Sequence, residues 1–162
     1  MIGNIKIIAV CMCKVYDERN YRIIRALNNF AVENDYRLFV YHTCSDLYWK
    51  TLSEKGEQSV FDLIDYNITD AVVTFEEGVY AENVMTKIRM DAAKYGKPVI
   101  SVGVEHDDCI SIKFGYAKGF EQVVRHVIEQ HGVRDIGFIA GRKDEEHSEE
   151  RIAVFRKLLE EY

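Results

Sequence analysis

Short apolar segments alternate with amphipathic stretches along most of this chain. In the first segment, 5–12, both alternating sets of side chains are apolar, which is typical of a strand covered on both faces in a parallel sheet. Four further segments have strand character: 37–43, 71–75, 99–102 and 110–112. Between the strands, apolar side chains recur at helical spacing in 17–33, 60–64 and 84–95. The alternation predicts right-handed βαβ units and an α/β fold with a doubly wound parallel sheet.

The stretch 116–162 predicts a helix, a short strand, a charged loop and a second helix. Gly132 stands where the first of these helices would end, because glycine readily adopts the left-handed conformation of a helix C-cap. The apolar run 136–140 predicts a strand buried on both faces. Ser148, followed by two glutamates, is the predicted N-cap of the second helix. The apolar stripes of the helices are Phe120, Val123, Val124, Val127 and Ile128, and then Ile152, Phe155, Leu158 and Leu159.

The same stretch contains the string RHVIEQHGVRDIGFIAG, followed by Arg151 and Phe155. This set resembles the start of the second lobe in sensor domains of the LacI/GalR family, where a HLI..HG...I.FI.G motif precedes an R..GF motif. The order of the preceding elements is similar to that of the family, so the resemblance covers the chain from about Lys6 onward. It implies a periplasmic-binding-protein-like ligand sensor with a flavodoxin-like first lobe at 1–113 and an incomplete second lobe at 114–162. We therefore expect a fragment of a longer protein.

Composition and charge exclude several classes of partner. The formal net charge is −6, and the lysines and arginines are interleaved with acidic residues, so we expect no direct binding to nucleic acid. No apolar run approaches the roughly 20 residues that span a bilayer, and the N-terminus has the pattern of a first strand rather than a signal peptide. We expect no membrane association. Four irregularly spaced cysteines predict buried free thiols in a reducing cytoplasm: Cys11, Cys13, Cys44 and Cys109.

Motifs for catalysis and for cofactor binding are absent from the sequence. No glycine-rich dinucleotide fingerprint, phosphate-binding loop or nucleophile elbow is present, and a receiver domain is disfavoured because no paired acids follow the first strand. Three pairs of potential metal ligands do not predict a metal site, because two lack the spacing of a closed zinc site and the third should diverge on its helix. They are His42 and Cys44, His106 and Cys109, and His126 and His131. We predict a chain without enzymatic activity, cofactor or metal.

The loops after the strands are the candidate binding region, because ligands of doubly wound sheets bind at the carboxyl ends of the strands. Small-molecule clefts combine a few polar groups with aromatic walls. Each aromatic or charged residue in these loops is more often an ordinary surface residue when taken singly, but together they line one edge of the sheet. The loops offer Tyr16, Asp17, Tyr21, Glu76, Glu77, Lys113, Phe114 and Tyr116.

The resemblance to the LacI/GalR family implies more specific roles for two residues. Arg151 matches the arginine of the R..GF motif, which holds ligand hydroxyls or carboxylates in the family's cleft. Tyr21 matches the position of an aromatic side chain that packs on the ligand ring. The sequence departs from the family at 113–114, where sugar-binding members have an Asp-Asn type pair, and at Val154, which replaces the motif glycine. An acid that would accept hydrogen bonds from sugar hydroxyls is therefore missing, so the resemblance does not identify the ligand as a sugar.

These observations predict a cytoplasmic small-molecule sensory domain that acts as the input module of a larger signalling protein. The sequence HVIEQHG, followed by HSEER, resembles the corresponding sequence in LacI-type sensor domains that are joined to GGDEF diguanylate cyclases. If Met1 is the native start, the first strand begins within about five residues of it, and we expect no DNA-binding headpiece before the strand. We expect an unidentified effector to close the two lobes, and a homodimer to form through the first lobe.

Three alternatives belong to other classes. The first is the effector-binding domain of a LacI/GalR-type transcription regulator that lacks its DNA-binding headpiece. The second is a flavodoxin-like enzyme or flavin protein, which flavin absorbance would reveal. The third is a dimerisation lobe that binds no small molecule.

Overall fold

The structure is a computed structural model that describes residues 5–77, 79–143 and 145–162. The chain divides into two compact units, Met1–Lys113 and Phe114–Tyr162. In the described part of the first unit, five parallel strands form one sheet: β1 (Lys6–Cys13), β2 (Tyr36–Thr43), β3 (Ala71–Phe75), β4 (Val99–Val102) and β5 (Ile110–Ile112). The helices of this unit are α1 (Glu18–Glu33), α2 (Leu52–Gln58), which runs into a 3₁₀ turn (Ser59–Leu63), and α3 (Glu82–Lys94). The predicted doubly wound α/β fold is confirmed.

The strand order β2-β1-β3-β4-β5 creates a topological switch point at β1. Val10 pairs with Val40 of β2 on one side and with Val73 of β3 on the other. The chain therefore leaves β1 toward one edge of the sheet, returns, and continues toward the opposite edge. In open α/β sheets such a reversal leaves a crevice at the carboxyl ends of the two central strands, where ligands bind.

The core of the first unit lies between one face of the sheet and the segments that follow β2 and β3. Ala9, Cys11 and Val72 are fully buried on this face. The 3₁₀ turn contributes Phe61, and α3 contributes apolar side chains at helical spacing, as the sequence predicts. The other buried members of the cluster are Cys13, Leu47, Ile64, Val79, Ala81, Met85, Ile88, Ala92 and Val99.

Two local predictions in the first unit are wrong. The helix expected at 60–64 is a 3₁₀ turn, and the regular helix is α2, inside the stretch that was expected to be a polar link. A capping box explains this, since Thr51 Oγ1 accepts from the Glu54 amide (3.2 Å) and Glu54 Oε2 accepts from the Thr51 amide (2.9 Å). The cysteines are all expected to be buried, but Cys44 is exposed, because it lies just beyond the end of β2, and Cys109 is half-buried.

The second unit contains α4 (Tyr116–His131) and α5 (Glu146–Glu161), which pack through an apolar cluster around Val124, Ile128 and Leu158. Gly132 ends α4 with φ = 64°, so the predicted left-handed C-cap is confirmed. The strand predicted at 136–140 is wrong: none of the described strands pairs with this segment. A strand needs a neighbour to satisfy its amides and carbonyls, and without one Ile139 is 96% exposed.

Ser148 is not the N-cap of α5. The helix begins one turn earlier, with Glu145 at the N-cap position, and Ser148 lies fully buried in the first turn. The Ser148 amide donates to the Glu145 carbonyl (2.9 Å), and its hydroxyl donates to the Glu145 carboxylate. The hydroxyl therefore bonds to a side chain, and the helix has no side-chain cap of its first amides.

A polar cleft at the switch point

An open cleft of about 210 Å³ lies at the carboxyl ends of β1 and β3. This is the location that the strand order favours for a ligand. The lining combines charged, amide and aromatic side chains over a small apolar floor. The lining residues are Met12, Cys13, Lys14, Asp17, Arg19, Asn20, Asp46, Phe75, Glu77 and Tyr80.

The turn that follows β1 is held in a left-handed conformation by hydrogen bonds. Lys14 has φ = 49°, a region in which a residue with a Cβ is strained by about 1–2 kcal/mol. Its amide donates to the Thr43 carbonyl (2.8 Å). The Asn20 side-chain amide, from the first turns of α1, donates to the carbonyls of Cys13 (2.9 Å) and Lys14 (3.1 Å). These contacts join the end of β1 to both β2 and α1.

Two ion pairs join segments that line the cleft. Lys14 Nζ lies 2.9 Å from Asp46 Oδ2, and Arg19 Nη2 lies 2.7 Å from Glu77 Oε2. The hydrogen bond from Lys14 holds the pKa of the Asp46 carboxyl below its usual value, and the same bond raises the pKa of Lys14. With Asp17, the cleft has two cationic and three anionic side chains. Such a lining offers donors and acceptors to hydroxyl, carboxylate and ammonium groups.

The loop that carries Asp46 is fixed by α2. Glu57 Oε2 accepts hydrogen bonds from the amides of Cys44 (2.8 Å) and Ser45 (2.9 Å). Thr43 Oγ1 donates to the Ser45 carbonyl (2.6 Å). A carboxylate that accepts several amide hydrogen bonds is a strong anchor, so Asp46 is held on a rigid segment.

The loop that carries Glu77 begins at a buried charge cluster around Glu76. Glu76 and Arg89 are 7% and 8% exposed. Arg89 Nη1 lies 3.2 and 3.3 Å from the two Glu76 carboxylate oxygens, and Thr74 Oγ1 donates to Oε1 (2.8 Å). His106 Nε2, from the loop after β4, lies 2.9 Å from Glu76 Oε2 and 3.0 Å from Arg89 Nη1. Arg89 Nε lies 3.4 Å from Asp108 Oδ1, an ion-pair distance without hydrogen-bond geometry.

A glycine allows the loops after β3 and β4 to approach each other. Gly103 has φ = 101°, and a Cβ at this position would lie 2.7 Å from Glu77 Cβ and 3.0 Å from the Glu77 amide nitrogen. A side chain would therefore push the Glu77 loop away, in addition to straining its own backbone. Gly103 and the Glu76 cluster together determine where Glu77 lies.

The thiol on the cleft floor is held in its protonated form. Burial raises the pKa of Cys13 to about 11, although the hydrogen bond between Cys13 Sγ and Thr43 Oγ1 (2.9 Å) opposes the shift. Burial also raises the pKa of Cys11 on the same strand. Near neutral pH, Cys13 therefore contributes an apolar surface and no thiolate nucleophile.

Of the predicted binding residues in the first unit, the structure brings Asp17 and Glu77 into the cleft. Glu76 is turned into the buried cluster. Tyr16 is 79% exposed, and its ring meets the edge of His42 with centroids 5.4 Å apart. Tyr21 is more than half exposed, and its amide donates to the Asp17 carbonyl (2.8 Å). The roles of Glu76, Tyr16 and Tyr21 in ligand binding stay predictions.

The remaining predicted residues have local partners in their own units. Lys113 Nζ lies 3.5 Å from Glu105 Oε2 at the end of the first unit. In the second unit, Phe114 is tilted against Tyr116 at 5.8 Å between ring centroids. Arg151 Nε donates to the carbonyl of His147 (2.9 Å) one turn earlier in α5. Ligand contacts at Lys113, Phe114 and Arg151 also stay predictions.

Sequence reasoning missed most of the polar lining of the cleft. Lys14, Asp46 and Tyr80 lie in the loops after β1, β2 and β3, and Arg19 and Asn20 lie in the first turn of α1, directly after the first of these loops. The signal that could have identified these residues was their position in the sequence, shortly after the predicted strands. The side-chain directions depend on the left-handed turn at Lys14 and on contacts between residues far apart in sequence, which no local pattern reveals.

Comparison with known proteins shows similarity of fold. No family model and no curated protein matches the sequence. Among solved structures, transcription regulator CcpA of Lactococcus lactis is 19% identical with a TM-score of 0.69, over 96% of this chain and 54% of that one. A Lac repressor dimer bound to operator and the anti-inducer ONPF is 13% identical with a TM-score of 0.64, over 98% and 45%. An ABC transporter solute-binding protein from Clostridium phytofermentans with bound β-D-glucose is 12% identical with a TM-score of 0.69, over 97% and 48%.

These matches support the periplasmic-binding-protein-like fold of LacI-type regulators and solute-binding proteins. The chain spans about half the length of the solved structures that it matches. Among the described residues, no helix is long and apolar enough to cross a membrane. The same part of the chain holds no cluster of three or more histidine, cysteine or acidic residues arranged around a common metal position.

Proposed function

We propose that this chain is part of a small-molecule sensory domain whose ligand binds in the cleft at the carboxyl ends of β1 and β3. The observation that carries the proposal is the location of a polar, partly aromatic cleft at the switch point of the sheet. Rigid anchoring supports it, because Asn20 and Glu57 fix the loops that present Asp17 and Asp46. Preorganised loops reduce the entropy lost when a ligand binds.

The ligand is a small polar molecule that carries hydroxyl, carboxylate or ammonium groups. The cleft is too small and too charged for a large apolar ligand, since its volume is about 210 Å³ and five of its lining side chains are charged. We assign ligand contacts to Asp17, Lys14 and Asp46 from the cleft. Tyr16, Tyr21, Lys113, Phe114 and Arg151 are further proposed contacts, the last by its match to the family motif. Glu76 is a proposed contributor through the buried cluster that positions the Glu77 loop.

Thermal unfolding with a panel of monosaccharides, amino acids and small dicarboxylates tests the site. We expect at least one compound to raise the melting temperature of the wild-type protein, because a ligand of the folded state stabilises it by mass action. The shift should fall in Asp17→Ala and in Asp46→Ala. It should persist in Asp62→Ala, which removes an exposed acid outside the cleft. A panel without effect, or equal shifts in all variants, would contradict the proposal.

The proposed output is regulatory. We place the chain at the input of a larger signalling protein such as a diguanylate cyclase, where a ligand shifts an equilibrium between open and closed arrangements of two lobes. The second candidate is the effector-binding domain of a LacI/GalR-type transcription regulator that lacks its DNA-binding headpiece, and similarity of fold to CcpA and to the Lac repressor favours it. The adjoining coding sequence separates them: a GGDEF domain supports the first and a helix-turn-helix the second. Identical X-ray scattering of the complete module with and without its ligand would exclude lobe closure.

We also propose a homodimer formed through the first lobe. The observation in favour is that α1 exposes Phe30 and Val32 by more than half. Sedimentation equilibrium should give a dimer for the wild type and a monomer for Phe30→Glu. Tyr95→Glu, at the end of α3, introduces the same charge at another exposed aromatic residue and should leave the dimer intact. A monomeric wild type would contradict this part of the proposal.

A further inference from the structure

Two imidazole rings meet at the carboxyl end of α4. His126 and His131 are five positions apart, and their Nε2 atoms lie 3.1 Å from each other. The rings are nearly perpendicular, at 75°, with centroids 4.9 Å apart, and both residues are exposed. The expectation that they diverge is therefore wrong. Side chains of a helix lean toward its N-terminus, so the ring of His131, the last residue of α4, reaches back over the preceding turn toward His126.

The separation of the two nitrogen atoms fits a shared metal ion. Zinc–imidazole bonds are about 2.0–2.1 Å long, so two imidazole nitrogens on one ion lie about 2.9 Å apart at a right angle and about 3.3 Å apart at the tetrahedral angle. The observed 3.1 Å falls between these limits. Without an ion, the Nε2 of one ring donates its proton to the Nε2 of the other. Both Nε2 atoms become available for coordination when the donor ring carries its proton on Nδ1 instead, because each Nε2 then has a free lone pair in the plane of its ring.

We propose that His126 and His131 form a two-histidine chelate for a divalent late transition-metal ion, of which Zn²⁺, Ni²⁺ and Cu²⁺ are the matching class. Imidazole nitrogen selects these ions over Mg²⁺ and Ca²⁺, which prefer oxygen ligands. The carboxyl end of a helix carries a partial negative charge that favours a cation, and His131 is the last residue before the Gly132 cap. Water completes the coordination, since the described residues offer no third histidine, cysteine or acidic ligand there.

Metal binding at this pair also stabilises the end of α4. The ion connects the last residue of the helix to a residue more than one turn earlier, so fraying of the final turn would break a coordinate bond. An ion that binds the folded state raises its stability according to concentration and affinity. This inference is independent of the cleft and of the function proposed for it.

Calorimetric titration with ZnCl₂ and NiCl₂ tests the site in a buffer that does not chelate metals. All proteins should carry Cys44→Ser, because Cys44 is an exposed thiol that would compete for zinc. We expect one ion per chain, and about tenfold or greater loss of affinity in both His126→Ala and His131→Ala, since each variant removes half of the chelate. The matched control is His42→Ala, which removes an imidazole from the first unit and should bind as tightly as its parent.

Electron paramagnetic resonance of the Cu²⁺ form gives a second readout. Two equivalent imidazole nitrogens should split the signal of the parent protein, and one nitrogen should remain in each single variant. Circular dichroism should show equal helix content in all of these proteins, because both histidines are exposed. Equal affinities in the parent and the His126→Ala variant, or a Cu²⁺ signal from a single nitrogen in the parent, would overturn the proposal and leave the pair as a hydrogen bond between two imidazoles.

Discussion

Replacement of Arg89 by methionine removes one partner from the buried charge cluster at the end of β3. Methionine keeps the length of the apolar part of the side chain and a high helix propensity, so α3 should persist. The Glu76 carboxylate would lose its contacts at 3.2 and 3.3 Å, and because Glu76 is only 7% exposed in the wild type, its charge would be left without a full counter-charge and with little access to water. His106 and Thr74 would still contact it.

Breaking a buried ion pair by removing one partner costs about 3–5 kcal/mol, because the remaining charge is left desolvated. The stability of a whole domain is about 5–15 kcal/mol. The single substitution should therefore remove a large part of the stability of the first unit. With a urea m-value of about 2 kcal/mol/M, the unfolding midpoint should fall by about 2 M.

Urea unfolding followed by circular dichroism and by the fluorescence of Trp49, the single tryptophan of the chain, measures the loss in the first unit. The matched control is Lys87→Met on the same helix. Lys87 pairs with Asp62 at 2.5 Å but is 61% exposed, and exposed pairs contribute about 0–1 kcal/mol. Glu76→Leu combined with Arg89→Met removes both charges and should recover part of the stability. Equal midpoints for Arg89→Met and Lys87→Met would refute the reasoning.

Three further predictions concern the cleft. Gly103→Ala should destabilise the first unit by more than about 1 kcal/mol in thermal or urea unfolding, because φ is positive and the new Cβ meets Glu77; a neutral effect would contradict the close approach. Asp46 has a lowered pKa, so its pairing stabilises the fold above the unfolded-state value of about 3.9 and is lost as pH falls through the folded-state value. The stability of Asp46→Asn should accordingly depend less on pH below about pH 4, and an unchanged pH profile would contradict the pairing. Cys13, with its pKa raised to about 11, should resist thiol reagents at pH 8 while exposed Cys44 reacts; mass spectrometry of the labelled peptides measures both, and equal labelling would contradict the burial.

The sheet could be predicted from sequence because its strands are buried on both faces. In β1, seven consecutive residues from Ile7 to Cys13 are buried or partly buried, and a continuous apolar run is the signal of such a strand. The alternation of strands and helices then restricts the connections to right-handed crossovers. The location of the cleft follows from that topology, so its place at the end of β1 was predictable before its residues were known.

Features that depend on long-range contacts could not be predicted in the same way. The Lys14–Asp46 pair joins residues 32 positions apart, and the turn at Lys14 that allows it is stabilised by Asn20 and Thr43. From the sequence alone, Glu76 resembles an ordinary acidic residue in a surface loop. Its buried contact with Arg89 is evident only in the folded structure. The run 136–140 is apolar enough for a strand, but strand formation depends on a neighbour rather than on composition.

Nuclear magnetic resonance of the ¹⁵N-labelled protein tests the central claim most directly. The compound from the monosaccharide, amino acid and dicarboxylate panel that stabilises the protein most would be titrated against the backbone amides. Binding in the cleft predicts that the largest shifts fall on Lys14, Asp17, Asn20 and Asp46, where the ends of β1 and β2 meet the first turn of α1. Shifts concentrated elsewhere, with these four amides unchanged at saturation, would contradict the assignment of the cleft as the ligand site.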